Sequence, residues 1–178
     1  FYMLILLTLL RKKNLLMHKI LIPIFLLLFT TYLANATNDF PVPRWVSLKG
    51  DANLRKGPHM LASIIYRYEF PNYPMEIIQD AGDWKKVVDR RDGVTGWMNK
   101  ILFSGKRYAI TKTSPYSFGY DKPNKNKIIA KISSDVHVKL EECDTVFCKI
   151  SLEHQNKNLK LWIEKSNLIG VYMNEIIE

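Results

Sequence analysis

The chain reads as an all-β protein of two small barrels in tandem, preceded by an apolar segment that is cleaved off. Three observations carry this reading. Short runs rich in Val, Ile, Tyr and Trp recur about every ten residues, and Gly, Pro, Asn and Asp separate them. The second half then repeats the order of the first. No sustained helical period runs through residues 37–178.

The N-terminal segment is set apart first. Met17-His18-Lys19 is a short basic start, Ile20 to Leu33 is nearly all apolar, and Ala34-Asn35-Ala36 places small residues where a signal peptidase reads. That is the layout of a secretory signal peptide cut after Ala36. The apolar run of about 14 residues falls short of the roughly 20 that span hydrocarbon. No stable membrane span is expected after cleavage, and the compartment implied is periplasmic or secreted. Phe1 to Leu10, ended by Arg11-Lys12-Lys13, reads as sequence upstream of the start at Met17.

The formal charge is +9, from 26 Lys and Arg against 17 acids. Arg11, Lys12, Lys13 and Lys19 supply four of those nine and leave with the leader. The rest is spread along the chain, densest at Lys122-Pro123-Asn124-Lys125-Asn126-Lys127, which describes a solvated basic surface and not a nucleic-acid site.

In the first half, strands are expected at Trp45–Leu48, Ile64–Tyr68, Met75–Ile78 and Trp84–Val88. In the second they are expected at Ile128–Ile132, Val136–Leu140, Phe147–Ile150 and Leu159–Ile163. Gly96-Trp97-Met98-Asn99-Lys100-Ile101-Leu102 is echoed by Leu161-Trp162-Ile163-Glu164-Lys165-Ser166-Asn167-Leu168. Trp97 and Trp162 stand 65 residues apart, the length of one small barrel. This gives residues 1–36 as leader, 37–105 as a first domain and 106–178 as a second, more diverged one.

The ordered set Asn53-Leu54-Arg55-Lys56-Gly57-Pro58, Gly82-Asp83-Trp84 and Gly96-Trp97-Met98 resembles the bacterial SH3-like family of small β-barrels. The resemblance covers residues 45–170 and is clearest in the first copy. It implies a module that binds and does not catalyse. The implied ligand is peptidoglycan or its peptide stem, and the alternative is an extended segment of an envelope protein.

By the same resemblance the binding groove involves Arg55, Tyr66, Tyr68, Tyr73, Trp84 and Trp97. Arg55, Tyr68, Tyr73 and Trp84 are the candidate ligand contacts, because aromatic faces suit prolines or sugar rings and a guanidinium suits a carboxylate. Arg55 could instead pin its own turn, and Trp84 could pack inward. Trp97 and Trp162 are expected in the cores. Tyr68-Glu69-Phe70-Pro71-Asn72-Tyr73-Pro74 reads as a rigid, exposed aromatic loop.

Cys143 and Cys148 are the chain's two cysteines, and in an oxidising compartment their spacing suits a bridge across a hairpin. The four histidines, His18, His59, His137 and His154, form no ligand pair, and no nucleophile elbow or phosphate loop is present. No catalytic set, metal site or cofactor is expected.

Overall fold

The computed structural model describes residues 40–112, 115–155 and 157–178. The expected leader, residues 1–36, lies outside the described residues. Phe40–Glu178 form one compact unit.

That unit holds two seven-stranded sheets. The first takes β1 (Arg44–Leu48), β2 (Ala52–Arg55), β3 (Ile64–Tyr68), β4 (Pro74–Ala81), β5 (Trp84–Val88), β6 (Thr95–Asn99) and β7 (Phe103–Ser104). The second takes β8 (Tyr108–Thr111), β9 (Tyr116–Tyr120), β10 (Ile128–Ser133), β11 (His137–Cys143), β12 (Phe147–His154), β13 (Lys157–Glu164) and β14 (Leu168–Ile169). Their spatial orders are β3-β2-β6-β5-β4-β1-β7 and β10-β9-β13-β12-β11-β8-β14. Adding seven to each label turns the first order into the second. Short 3₁₀ turns at Lys100–Leu102 and Lys165–Asn167 also occupy matching places.

The all-β expectation therefore holds, with two sheets in keeping with two small barrels. All eight anticipated strands are present, and β2, β6, β7, β8, β9 and β14 complete the sheets. Asn53, Leu54 and Arg55 belong to a strand and not to a turn. The turn proper follows them, closed by the Lys56 amide donating to the Ser63 carbonyl at 2.9 Å.

Strand alternation decides which side chains fill the cores. In β6, Gly96 and Met98 face inward; in β13, Leu161 and Ile163 do. Trp97 and Trp162 lie on the opposite pleat and are half-buried, so the expectation that they are core residues is corrected. Arg55 and Lys86 stand in register on either side of Trp97. The Lys149 ammonium sits 5.9 Å from the Trp162 ring centroid.

Close approach explains the glycine beside Trp97. A Cβ on Gly96 would lie 2.7 Å from Leu54 Cγ and 2.8 Å from the Arg55 carbonyl oxygen. The second sheet meets the same constraint in reverse: its glycine, Gly119, is on β9, and a Cβ there would lie 2.8 Å from Leu161 Cδ1 on β13. With Arg55 opposite Trp97 and Tyr120 opposite Trp162, Leu54 corresponds to Gly119 and Gly96 to Leu161.

Cys143 and Cys148 face each other on β11 and β12, bridged as expected, with Cα atoms 4.0 Å apart and both residues buried. Asp144 shapes the hairpin by accepting the Val146 and Phe147 amides, each at 2.7 Å.

The two cores meet at β8. Ala109 belongs to the second core, whereas its neighbour Ile110 belongs to the first, beside Leu48, Met75 and Ile77. The Tyr108 amide also donates to Ser47 Oγ at 3.0 Å. The C-terminal segment straps the same seam. Tyr172 stacks near Trp45, with centroids 5.9 Å apart, and donates to buried Glu76 at 2.6 Å. Glu175 pairs with Arg107, and buried Lys165 donates to the carbonyls of Met173 and Glu175.

Two outcomes follow for stability. Ile110→Ala should cost about 2–5 kcal/mol, the usual cost of truncating a buried aliphatic side chain. Because Ile110 ties the cores together, a single denaturation transition should shift whether read by first-sheet or second-sheet probes. Met98→Ala should likewise cost about 2–5 kcal/mol, and Trp97→Ala less, as measured by denaturant melts of the two variants.

Candidate functional site

Four aromatic rings run in a row from the edge of the first sheet to the second. Tyr66 and Tyr68 lie 4.6 Å apart between centroids, Tyr68 and Tyr73 5.0 Å, and Tyr73 and His137 5.6 Å. They line an open groove of about 740 Å³. Arg67, Glu69 and Phe70 add to the wall made by β3 and the loop after it. Arg91 and Asp92 come from the β5–β6 turn, and Asp135 joins His137 from the second sheet.

Asp89 organises this wall. It is 1% exposed and accepts the hydroxyls of Tyr68 and Tyr73 at 3.0 and 2.8 Å and the Arg91 amide at 2.9 Å. A carboxylate so deeply buried is tolerable only when its oxygens are met in this way. Burial, followed by the Asp89 carboxylate, pushes both tyrosine hydroxyls well above the usual phenol range. They remain protonated donors, and the rings are held in place.

The opposite wall is placed by Thr111 at the end of β8. Its backbone exchanges hydrogen bonds with the turn before β11: the Thr111 amide donates to Val136 at 3.1 Å and the Asp135 amide donates to Thr111 at 2.7 Å. The Thr111 hydroxyl donates to the Ser133 carbonyl at 2.7 Å and accepts the Val136 amide at 3.0 Å. Asp135 adopts φ +65° in this turn and reaches Arg91 across the groove at 3.2 Å. Burial, followed by the Arg91 charge, holds the His137 imidazole below its ordinary value.

The groove thus offers aromatic faces and both signs of charge within one depression. The Arg91–Asp135 pair is accessible to water, with side chains 41% and 52% exposed. Such a pair is weak, so either partner can turn to a ligand. Among the described residues no group of His, Cys, Asp and Glu is arranged to hold a metal ion. No helix among them is long and apolar enough to cross a membrane.

Of the residues singled out from sequence, Tyr66, Tyr68 and Tyr73 come together here. Tyr73, expected on an exposed loop, is only 6% exposed because its hydroxyl is drawn inward to Asp89; Phe70 is the loop's exposed ring. Arg55 does not line the groove and donates to the Ala62 carbonyl at 2.9 Å, pinning the loop between β2 and β3. Trp84 is half-buried on β5 opposite Ala81 and Asn99, also outside the groove. Arg67, Arg91, Asp92, Asp135 and His137 were not anticipated. The Arg90-Arg91-Asp92-Gly93 turn was a visible signal; the pairing with Asp135 and His137 needs the second sheet in place.

The bacterial SH3 domain family matches residues 49–105. No curated protein matches the chain. Among solved structures, an NlpC/P60 family protein from Bacillus cereus ATCC 10987 shares 16% identity, with 70% of this chain and 55% of that one covered and a TM-score of 0.31. NlpC1 from Trichomonas vaginalis shares 15%, over 76% and 49% of the two chains, with a TM-score of 0.32. NlpC2 from the same organism shares 14%, over 74% and 49%, also at 0.32. The chain spans about half the length of these structures. The family match runs from just before β2 to the end of the first sheet and takes in the Asn53–Pro58, Gly82-Asp83-Trp84 and Gly96-Trp97 motifs, so the likeness to bacterial SH3 domains lies in residues 49–105.

Proposed function

We propose that this is a non-catalytic binding protein of the cell envelope, and that the groove between its sheets takes peptidoglycan through the peptide stem. The observation that carries this reading is the groove's composition. A short peptide with a free carboxylate, a free amine and sugar or aliphatic surface nearby finds Arg67 and Arg91 for the first. It finds Asp92, Asp135 and Glu69 for the second and the tyrosine row for the third. Cys143 and Cys148 are joined within the second core and do not line the groove, which supports binding over thiol chemistry. The leader-like N-terminus and the disulfide support a periplasmic or secreted setting.

The test is titration of the protein with soluble muropeptides, followed by co-sedimentation with purified sacculi. Arg91→Ala should weaken binding by about tenfold or more, the loss of one charge-assisted hydrogen bond. Phe70→Ala should weaken it as well, and both variants should melt near the wild-type temperature. Unchanged affinity in both would overturn the assignment of the groove. Tyr73→Ala is a poor probe, because it also strips a donor from buried Asp89.

His137 adds a pH dependence. Its folded-state value lies below the ordinary 6.5, so the neutral ring stabilises the fold fully above about pH 6.5. That contribution is lost as pH falls through the depressed value. The melting temperature of the wild type should therefore fall more steeply on acidification than that of His137→Phe.

A further inference from the structure

The loop between β3 and β4 serves two depressions. Tyr73 lines the groove described above, whereas its neighbour Asn72 lines a second pocket of about 390 Å³. His137 is common to both walls. The second pocket is completed by Tyr108, by Lys139 and Ser151 facing each other on β11 and β12, and by Leu152, Glu153 and Asn158. Those last three come from a stretch with a counterpart in the first sheet. With Lys86 opposite Trp97 and Lys149 opposite Trp162, residues 89–94 correspond to residues 152–159. In the first sheet this stretch is the turn that carries Arg91 and Asp92 into the groove. In the second it runs on as a paired ribbon, with Leu152 opposite Leu159 and Glu153 opposite Asn158. Leu152 packs against the second core, but Glu153 and Asn158 are exposed. Burial does not account for their place in the ribbon; the pocket does.

The lining is polar and favours neither sign of charge. Lys139 and Glu153 supply one of each. Glu141 already accepts from the Lys139 ammonium at 2.9 and 3.0 Å and from the Ser151 hydroxyl at 2.7 Å, with the Lys160 charge nearby. The side chains of Asn72, Asn158 and Glu153 make no hydrogen bond to any described residue. Each Asn amide offers two donors and an acceptor, and Glu153 adds acceptors for hydroxyl groups. An anion here meets Glu153 and a cation meets Lys139, whereas a neutral ligand rich in hydroxyl and acetamido groups satisfies all three side chains.

We propose that this second pocket binds the glycan of peptidoglycan, as N-acetylated hexosamine units, while the groove holds the stem. The assignment rests on the peptidoglycan reading of the groove and adds a second contact to it. A stem joins its sugar through an amide, so the glycan at that junction carries no charge, in keeping with the lining. His137, shared by the two walls, marks where the junction lies. A ligand that fills both depressions makes its second contact intramolecularly, so two weak sites act as one stronger site.

The probe is a peptide-free, β-linked N-acetylglucosamine tetrasaccharide, titrated into isotopically labelled protein and followed by amide chemical shifts. A free stem tripeptide is titrated in parallel. The tetrasaccharide should shift the amides of Asn72, Glu153 and Asn158. Asn158→Ala and Asn72→Gly should each weaken it about fivefold or more, the loss of one neutral hydrogen bond. Both variants should melt near the wild type, since Asn158 is exposed and glycine accepts the φ of +65° that Asn72 adopts. Arg91→Ala should weaken the tripeptide and leave the tetrasaccharide unchanged. No shift at the three amides, or unchanged tetrasaccharide affinity in both pocket variants, overturns the proposal; the groove reading then stands if the tripeptide still depends on Arg91. A tripeptide that shifts Glu153 and Asn158 as strongly as the tetrasaccharide also overturns it, because the pocket then takes peptide. Tetrasaccharide binding at Asn158 without tripeptide binding at Arg91 supports the glycan site and sinks the stem reading of the groove.

Discussion

Strand β8 is buried on both faces, and the placement of everything else follows from that. A four-residue strand that gives Ala109 to one core and Ile110 to the other cannot move without opening both. Dense packing makes such a position intolerant of small shifts. The two sheets consequently behave as one body, although each has its own set of inward-facing residues. Thr111, at the end of the same strand, fixes the turn that carries Asp135 and His137. The seam and the groove are thus two results of one short segment.

Rigidity is also what the groove gains from Asp89. Burying a carboxylate beneath two tyrosines is costly unless all its bonds are made, and here those bonds orient the rings that form the floor. A preformed aromatic floor loses little conformational freedom when a ligand arrives. The rim is the opposite, with exposed Phe70 and the solvent-accessible Arg91–Asp135 pair. A firm floor with an adjustable rim suits recognition of a flexible peptide.

Most of the strands were legible, because alternation and β-branched residues are local signals. Eight could be placed from composition and turn residues alone. β2 is hard to place from sequence because Asn53 and Pro58 carry turn signals, while Ala52 and Leu54 fill the core. Trp97 and Trp162 show that size alone does not mark burial; the inward positions beside them are held by Gly96, Met98, Leu161 and Ile163, whose role depends on which pleat faces in. In the groove, Tyr68 and Tyr73 could be found from the aromatic loop. Asp135 and His137 lie more than sixty residues further along the chain, and only the β8 packing brings them across.

Two sheets of the same strand order carry a hazard that a single sheet does not: a strand from one can insert into the other. The reversed Leu and Gly placement in the two sheets works against this. If β6 were to pair with β9, Gly96 would meet Gly119 and leave a void where a leucine belongs. If β2 were to pair with β13, Leu54 and Leu161 would compete for the same space. Both errors are penalised, one by a cavity and one by overpacking, while both correct pairings fill the same volume. The two sheets thus carry opposite steric labels, which favour each strand staying in its own sheet during folding.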